Sequence, residues 1–282
     1  MLVSLKQILK IAEARKIAIG SFNTPNLESL QAILGAAEEL NEPVIIMHAQ
    51  LHEDIGVCKL DEIAPIMVYM AEKASVPVCV HLDHGTDFGY VKKALDAGFT
   101  SVMFDGSEGG IEENIANTAL VVETAARFGA SVEGEVGSLG ERADGYGDHH
   151  GESIYTDPML AQRFVKETGI DALACAFGTV HGISSKKMVL DYDRITMIKE
   201  VVDVPLVMHG ASGLTEDEFK ETIRRGIRKI NYYSNTSKIA AEVIAKKKYT
   251  QFHDVVRGAT EAIKEDIKNA MRIFTMVENP KE

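Results

Sequence analysis

The chain has 282 residues, of which 45% are apolar and 26% are charged, so it can supply the core of one large α/β domain. Its net charge of −12 argues against nucleic acid and anionic membranes as partners, although backbone N–H groups can still bind a phosphorylated small molecule. No run of about 18 apolar residues is present, so the sequence predicts no membrane span.

The first element predicted along the chain is an amphipathic helix within residues 1–16, because its apolar residues recur at helical spacing. This segment lacks the long apolar stretch and the small-residue cleavage site of a secretion signal. The three cysteines, Cys58, Cys79 and Cys175, fit neither a disulfide framework nor a CxxC metal site. We therefore expect a cytoplasmic protein in which Cys79 and Cys175, both within apolar runs, are buried and reduced.

Eight short apolar runs alternate along the chain with longer segments of helical periodicity. The runs predict strands at residues 18–22, 44–47, 78–82, 101–104, 131–136, 172–177, 206–208 and 229–232. Helices are predicted between them at residues 27–40, 60–73, 88–97, 113–128, 158–168 and 216–225. Two helix starts carry capping signals, which are Asp157 before Pro158 and Thr215 three residues before Glu218.

Eight strand–helix units in one chain predict an α/β protein with a (β/α)8 or TIM barrel, formed as a single domain over residues 1–282. The alternative is a doubly wound open sheet. The number of units, the length of the chain and the absence of a GxGxxG sequence after the first strand all favour the barrel.

Polar residues follow the predicted strands directly, at the end of the barrel where active sites lie. Three of them are histidines, with His84 after the third strand, His181 after the sixth and His209 after the seventh. Three imidazoles and one open position are the ligand set of a catalytic zinc ion. The fifth strand adds Glu135 as a fourth or alternating ligand. Asp83, beside His84, is placed to exchange protons with a substrate.

The alternative for each histidine taken singly is a hydrogen-bonded residue of the core. Three histidines at strand ends, each close to a glycine, favour a shared metal instead. The sequence provides no positional argument for the remaining histidines, which are His48, His52, His81, His149, His150 and His253. Of these, the adjacent pair at positions 149 and 150 is interpreted as part of a solvated loop.

A loop of small residues, Gly210, Ala211, Ser212 and Gly213, leads from the seventh strand into the helix that begins near Thr215. Such a loop presents backbone N–H groups that bind phosphate, although an ordinary turn is the alternative. The loops after strands seven and eight are the usual phosphate-binding site of these barrels. The sequence therefore favours a phosphorylated small molecule as the ligand.

Five segments resemble the signatures of class II ketose-bisphosphate aldolases, in order and with matching spacing over about residues 1–275. They are Gly20-Ser21-Phe22-Asn23, Val80-His81-Leu82-Asp83-His84-Gly85, Gly178-Thr179-Val180-His181-Gly182, His209-Gly210-Ala211-Ser212-Gly213 and Lys229-Ile230-Asn231. The resemblance implies a homodimer or homotetramer that reversibly cleaves a ketose phosphate, such as fructose or tagatose 1,6-bisphosphate. The products would be dihydroxyacetone phosphate and an aldehyde, formed through an enediolate that zinc stabilises.

The same resemblance implies a role for each matching residue. His84, His181 and His209 would hold Zn²⁺, the implied cofactor, and a monovalent cation in addition is compatible with the family. Glu135 would lie near an alternative position of the metal, and Asp83 would be the acid/base at the C4 oxygen. The substrate-binding residues would be Asn23, Gly182, Gly210, Ala211, Ser212, Asn231 and Ser234.

Several positions depart from the family pattern. Ala143 stands where the family has an acid on the mobile loop after the fifth strand, with Glu141 and Asp144 close by as substitutes. Ala49 and Thr260 stand where a hydroxyl and a basic side chain usually bind the far phosphate. The half of the site that binds dihydroxyacetone phosphate is therefore better matched than the half that binds the aldehyde.

These departures leave alternatives open. Arg257, one helical turn before Thr260, is a candidate replacement for the missing cation. The same chemistry on a ketose 1-phosphate, which yields a non-phosphorylated aldehyde, is the alternative substrate. A zinc-dependent sugar-phosphate epimerase, a non-catalytic accessory subunit and a structural barrel are alternative functions. The position of Asp83 beside His84 and the presence of all three histidines favour the aldolase.

Overall fold

The structure, a computed structural model, describes residues 1–107, 109–137, 155–180, 182 and 188–277. Eight parallel strands follow one another around a closed barrel in chain order, and helices connect successive strands on the outside. The predicted (β/α)8 barrel is confirmed, and the open-sheet alternative is excluded by the pairing of the first strand with the last.

All eight strands lie at the predicted runs. They are β1 (Ile19–Asn23), β2 (Val44–Ala49), β3 (Val78–Gly85), β4 (Ser101–Phe104), β5 (Ser131–Val136), β6 (Ala172–Cys175), β7 (Leu206–Met208) and β8 (Ile227–Tyr232). β3 runs past its predicted end because Gly85 still pairs with Phe104 of β4. β6 ends before its predicted end, since Phe177 forms an isolated antiparallel bridge with Tyr155 instead of pairing with β7.

The predicted helices are present as well. The helices are α1 (Leu5–Arg15), α2 (Leu27–Leu40), α3 (Gln50–Asp54), α4 (Leu60–Lys73), α5 (Phe88–Asp96), α6 (Ile111–Ala126), α7 (Pro158–Thr168), α8 (Tyr192–Val201), α9 (Glu216–Arg225), α10 (Ser234–Lys246) and α11 (Phe252–Phe274). Asp157 caps α7, and Thr215 forms the predicted capping box with Glu218 at the start of α9. Within the described ranges, every helix is too short or too polar to cross a membrane.

Two apolar clusters stabilise the barrel. The larger cluster fills the layer between the strands and the outer helices. The smaller one lies inside the barrel, where Leu5, Ile8 and Leu9 of α1 close the N-terminal end against inward side chains such as Cys79. Cys79 and Cys175 are both buried and free, as predicted. The interior is thus filled below, and the opposite end of the barrel is left to polar side chains.

Phe164 of α7 is fully buried in the outer apolar layer. We expect Phe164→Ala to lower the free energy of unfolding by about 3–5 kcal/mol, because it removes buried apolar surface and leaves a cavity. Denaturation followed by circular dichroism measures this loss. Met159→Ala, on the same helix at a side chain that is 64% exposed, is the matched control and should have little effect. Equal effects of the two substitutions would contradict this packing.

Candidate active site

The carboxyl-terminal ends of the strands surround a cavity of about 210 Å³. Asp83 and His84 lie on its wall. The wall also contains every residue predicted to bind substrate, namely Asn23, Gly182, Gly210, Ala211, Ser212, Asn231 and Ser234. His209 and Glu135 are buried beside it. The predicted third imidazole, His181, and the loop over residues 138–154, which includes Ala143, lie outside the described residues.

His84 and His209 face each other across this end of the barrel, with Nε2 of His84 only 3.0 Å from Nδ1 of His209. The other nitrogen of each ring donates to a carboxylate. Nδ1 of His84 lies 2.6 Å from Oδ2 of Asp105, and Nε2 of His209 lies 2.8 Å from Oε1 of Glu133. Carboxylates commonly orient metal-binding imidazoles in this way, so the two facing nitrogens are the ones that would coordinate a metal.

The donor set fits a metal cation. Two nitrogens on a tetrahedral zinc ion lie about 3.3 Å apart, given Zn–N bonds of about 2.0–2.1 Å, which is close to the separation seen here. Oε2 of Glu135 is buried without a hydrogen-bond partner among the described residues, and it lies 3.8 Å from Nδ1 of His209. A cation would satisfy this carboxylate oxygen. Two candidate ligand groups result, one of Asp83, His84 and His209 and one of His84, Asp105 and Glu135.

The position of His84 depends on an irregularity in β3. Consecutive residues of a regular strand point to opposite faces, yet Asp83 and His84 both line the cavity. The pairing of β3 with β4 shifts register between Leu82 and Gly85. His84 has a φ of 47°, in the left-handed region that residues other than glycine rarely adopt. The bulge therefore directs two adjacent polar side chains towards the same cavity. The left-handed φ of His84 is the local backbone strain that this arrangement requires.

The charges around these imidazoles favour a bound cation. Burial opposes protonation of His84, but the negative charges of Asp83 and Asp105 raise its pKa to about 10. Burial opposes ionisation of Asp83, yet the neighbouring His84 and His209 hold the pKa of Asp83 well below its ordinary range. Burial, reinforced by the charge of Asp105, raises the pKa of Glu135 well above its ordinary value. This excess of carboxylates supplies the negative potential that a divalent cation requires.

Asp83 is held in one orientation by two amides. Nδ2 of Asn23 donates to Oδ2 of Asp83 over 3.2 Å, and Nδ2 of Asn231 donates to Oδ1 over 2.9 Å. Oδ1 of Asn231 accepts in turn from Nζ of Lys229 over 2.7 Å. The carboxylate is therefore buried and fixed at the cavity wall, as a group that transfers protons must be.

Sequence reasoning missed the buried ion pair beneath the cavity. Nζ of Lys229 lies 2.9 Å from Oε2 of Glu133, and both side chains are inaccessible to solvent. His81, which received no role, lies against the same pair. Its Nδ1 is 2.8 Å from Oγ of Ser101, its Nε2 is 3.7 Å from Glu133, and burial lowers its pKa to about 3. The signal was present, because charged residues inside otherwise apolar barrel strands need buried partners.

Two further residues of the site were also missed. Asp105 directly follows β4, so the strand-end rule that identified the histidines would have found it. His52 lines the cavity from α3, and nothing in its sequence spacing indicates that position. Arg257 does not replace the missing cation within this chain, because it pairs with Asp254 at the surface of α11 and is absent from the cavity wall.

Backbone N–H groups also border the cavity. The first N–H groups of a helix have no helical partners, and α10, which begins at Ser234, has no capping side chain to pair with them either. Gly210 has a φ of 65°, and a Cβ at this position would lie 2.5 Å from the carbonyl oxygen of Val180. Ser234 at the start of α10 lines the cavity. The first N–H groups of α9, in contrast, are already paired by the capping box of Thr215 and Glu218. This geometry suits a phosphate group.

Comparison with known proteins identifies the family to which the chain belongs. A family model described as fructose-bisphosphate aldolase class-II matches residues 3–279. The 6-phospho-5-dehydro-2-deoxy-D-gluconate aldolase of Bacillus licheniformis is 41% identical over 96% of this chain and 94% of its own length. The fructose-bisphosphate aldolase of Geobacillus stearothermophilus is 39% identical over 97% of this chain and 96% of its own length.

The crystal structure of the YdjI aldolase from Escherichia coli K12 superposes with a TM-score of 0.86 at 33% identity, and the match covers 97% of both chains. The chain therefore belongs to the class II fructose-bisphosphate aldolase family, as the resemblance of its motifs predicted. Membership supports an aldolase, a lyase that acts on carbon–carbon bonds.

Removal of the charge on Lys229 would leave Glu133 as an uncompensated buried anion. We expect Lys229→Met to lower the free energy of unfolding by about 3–5 kcal/mol, and the double variant Lys229→Met/Glu133→Gln to recover part of that loss. Chemical denaturation measures both. Lys246→Met, which removes the exposed ion pair with Glu242, is the control and should have little effect. A double variant that is no more stable than Lys229→Met would argue against an unpaired charge as the cause.

Proposed function

We propose that the chain is a zinc-dependent aldolase that reversibly cleaves a ketose phosphate into dihydroxyacetone phosphate and an aldehyde. The observation that carries the proposal is the placement of Asp83, a buried carboxylate held by Asn23 and Asn231 beside the facing nitrogens of His84 and His209. A proton-transferring group, a candidate metal site and a phosphate-binding backbone thus meet in one cavity. Membership in the class II family supports the same class of reaction.

In this proposal, His84 and His209 hold Zn²⁺ together with His181, and Glu135 lies close to the metal. When bound, zinc supplies a Lewis acid that polarises the substrate carbonyl and stabilises the negative charge left by bond cleavage. The set of imidazoles and carboxylates in this chain is the one that zinc prefers in catalytic sites. The buried Oε2 of Glu135, which has no partner among the described residues, supports a cation at this position.

Residues of the chain move the proton at the C4 oxygen and bind the phosphate. Asp83, whose carboxylate is held by the amides of Asn23 and Asn231, accepts the proton of the C4 hydroxyl as the C3–C4 bond breaks. In the reverse direction, it returns that proton to the aldehyde oxygen. The N–H groups at Gly210 and at the start of α10 bind the phosphate of dihydroxyacetone phosphate, which keeps the reacting carbons beside Asp83.

The names of the relatives point to two kinds of substrate. Relatives of similar identity are named for 6-phospho-5-dehydro-2-deoxy-D-gluconate and for fructose bisphosphate, so identity alone does not choose between them. The bisphosphates of fructose and tagatose require a cation at the second phosphate. Among the described residues no lysine or arginine lines the cavity. This observation favours a ketose 1-phosphate that yields a non-phosphorylated aldehyde.

We expect the purified protein to hold stoichiometric zinc, and His209→Ala to lose most of it, since the substitution removes one imidazole of the proposed ligand set. Inductively coupled plasma mass spectrometry after dialysis measures the metal content. His253→Ala, at a side chain that is 77% exposed, is the matched control and should retain the metal. Full zinc content in the His209 variant would exclude this histidine from the metal site.

The proposed activity is tested by coupled release of dihydroxyacetone phosphate from the 1,6-bisphosphates and 1-phosphates of fructose and tagatose and from 6-phospho-5-dehydro-2-deoxy-D-gluconate. We expect chelator-sensitive release that is faster from the 1-phosphates than from the bisphosphates. Asp83→Asn should lower kcat about 10²–10⁴-fold without loss of zinc, because general acid–base catalysis is removed.

Asp96→Asn, at an exposed carboxylate paired with Lys92, is the control for this assay and should retain full activity. Failure to release dihydroxyacetone phosphate from any of these sugars would count against the aldolase and favour the epimerase.

A further inference from the structure

The turn from β8 into α10 forms part of the cavity wall. Tyr232, Tyr233 and Ser234 are consecutive in the chain, and all three line the cavity. β8 ends at Tyr232 and α10 begins at Ser234, so the hydrogen bonds of the sheet and of the helix fix the shape of this turn only in part. Phosphate binding by the first N–H groups of α10 requires that shape to be held, because such bonds need donor–acceptor distances of about 2.7–3.2 Å.

α10 has little buried surface that could hold its start in place. Thr236, in the first turn, is its only buried residue, and the other residues of this helix are half-buried or exposed. Helices in proteins are stabilised mainly by the packing of an apolar face. Because that packing is limited here, a polar contact at Thr236 has a large influence on where the start of α10 lies.

The contact at Thr236 is made by Asp266 of α11, and the same carboxylate also binds the end of β8. Oγ1 of Thr236 donates to Oδ2 of Asp266 over 2.8 Å, and the hydroxyl of Tyr232 donates to Oδ1 over 3.3 Å. The Tyr232 hydroxyl accepts in turn from Nδ2 of Asn235 over 3.2 Å. One charged group thus ties together the residues on both sides of the turn, through hydrogen bonds that are stronger than those between neutral groups.

Asp266 lies on a firmly packed helix. Ile263 and Ile267, on either side of it along α11, are buried in the core. The ring of Tyr232 also packs edge to face against Phe274 of the same helix, with ring centroids 6.0 Å apart. Asp266 is half-buried and is not among the described residues of the cavity wall. Any effect of Asp266 on the cavity is therefore transmitted by the turn that it holds.

We propose that Asp266 is a positioning residue for phosphate binding, which holds the turn from β8 into α10 so that the first N–H groups of α10 face the phosphate of dihydroxyacetone phosphate. This inference rests on the proposed aldolase function and names the residue that fixes its phosphate-binding turn. Asp266 contacts neither the phosphate nor the reacting carbons in this assignment. It acts through its hydrogen bonds to Thr236 and Tyr232.

The contribution of the phosphate can be measured apart from the rest of the reaction. Exchange of a hydroxymethyl hydrogen of dihydroxyacetone phosphate with deuterated water, followed by NMR, requires no aldehyde. The same exchange with dihydroxyacetone, which has the reacting carbons and lacks the phosphate, reports the remainder of the site. A positioning role changes KM for dihydroxyacetone phosphate, whereas a role in stability alone changes the melting temperature and leaves both exchange reactions as they are.

We expect Asp266→Ala to raise KM for dihydroxyacetone phosphate about 10-fold, the effect of weakening one hydrogen bond to a charged group, with kcat nearly unchanged. The kcat/KM for exchange of dihydroxyacetone should stay the same. Asp266→Asn should recover most of the affinity, because its amide can still accept from one hydroxyl and donate to the other.

Thr236→Val removes the hydroxyl that binds Asp266 and keeps the shape of the side chain, so it should raise KM in the same way. It tests the same hydrogen bond where Asp266→Ala does not fold. The double variant should be no worse than Asp266→Ala, because both substitutions remove one shared contact. Glu265→Ala, at the exposed neighbouring carboxylate that pairs with Lys268, is the matched control and should leave both exchange reactions unchanged.

Three results would overturn the assignment. An unchanged KM for dihydroxyacetone phosphate in Asp266→Ala or Thr236→Val would leave Asp266 with a role in stability alone. An equal loss with dihydroxyacetone and its phosphate would mean that the whole cavity had changed. Additive effects in the double variant would show that the two residues do not act through their hydrogen bond. Absence of exchange in the wild-type protein is a different failure, because it would refute the proposed aldolase function itself.

Discussion

The ion pair between Lys229 and Glu133 lies inside the barrel, shielded from solvent, and the geometry of the site depends on it. Glu133 also accepts from His209, and Lys229 also donates to Asn231, which in turn donates to Asp83. One buried pair thereby connects an imidazole of the candidate metal site with the carboxylate proposed to move protons. Since buried charges are stable only when they are paired, this network restrains both groups at once.

The site also depends on the irregular shape of β3. β3 provides Asp83 and His84 through a bulge that turns adjacent side chains into one cavity, and the left-handed φ of His84 is the local strain of that arrangement. Strain of this kind persists only where the surrounding structure enforces it. Here the hydrogen bond from His84 to Asp105 and the pairing of Gly85 with β4 hold the distorted segment in place.

Much of the candidate site could be predicted because a parallel barrel brings the ends of all its strands to one face. That rule led from the sequence to His84, His209 and Asp83, which the structure places within a few ångströms of one another. The same rule applies to Asp105, which was overlooked. It does not reach His52, because α3 is too short to show periodicity and its position depends on side-chain bonds to other elements.

The sequence by itself determined the barrel, since eight apolar runs separated by helix-period segments admit few other closed arrangements, and its motifs identified the aldolase family. It also determined that imidazoles and a carboxylate stand at the strand ends. Only the tertiary structure decided which nitrogens face each other, how Lys229 and Glu133 pair, and which side chains line the cavity. These features depend on register, on the bulge in β3 and on contacts between residues far apart in the chain, such as the 148-residue separation between Asp83 and Asn231. Local sequence pattern can show that a buried charge needs a partner, but it does not identify which distant residue is that partner.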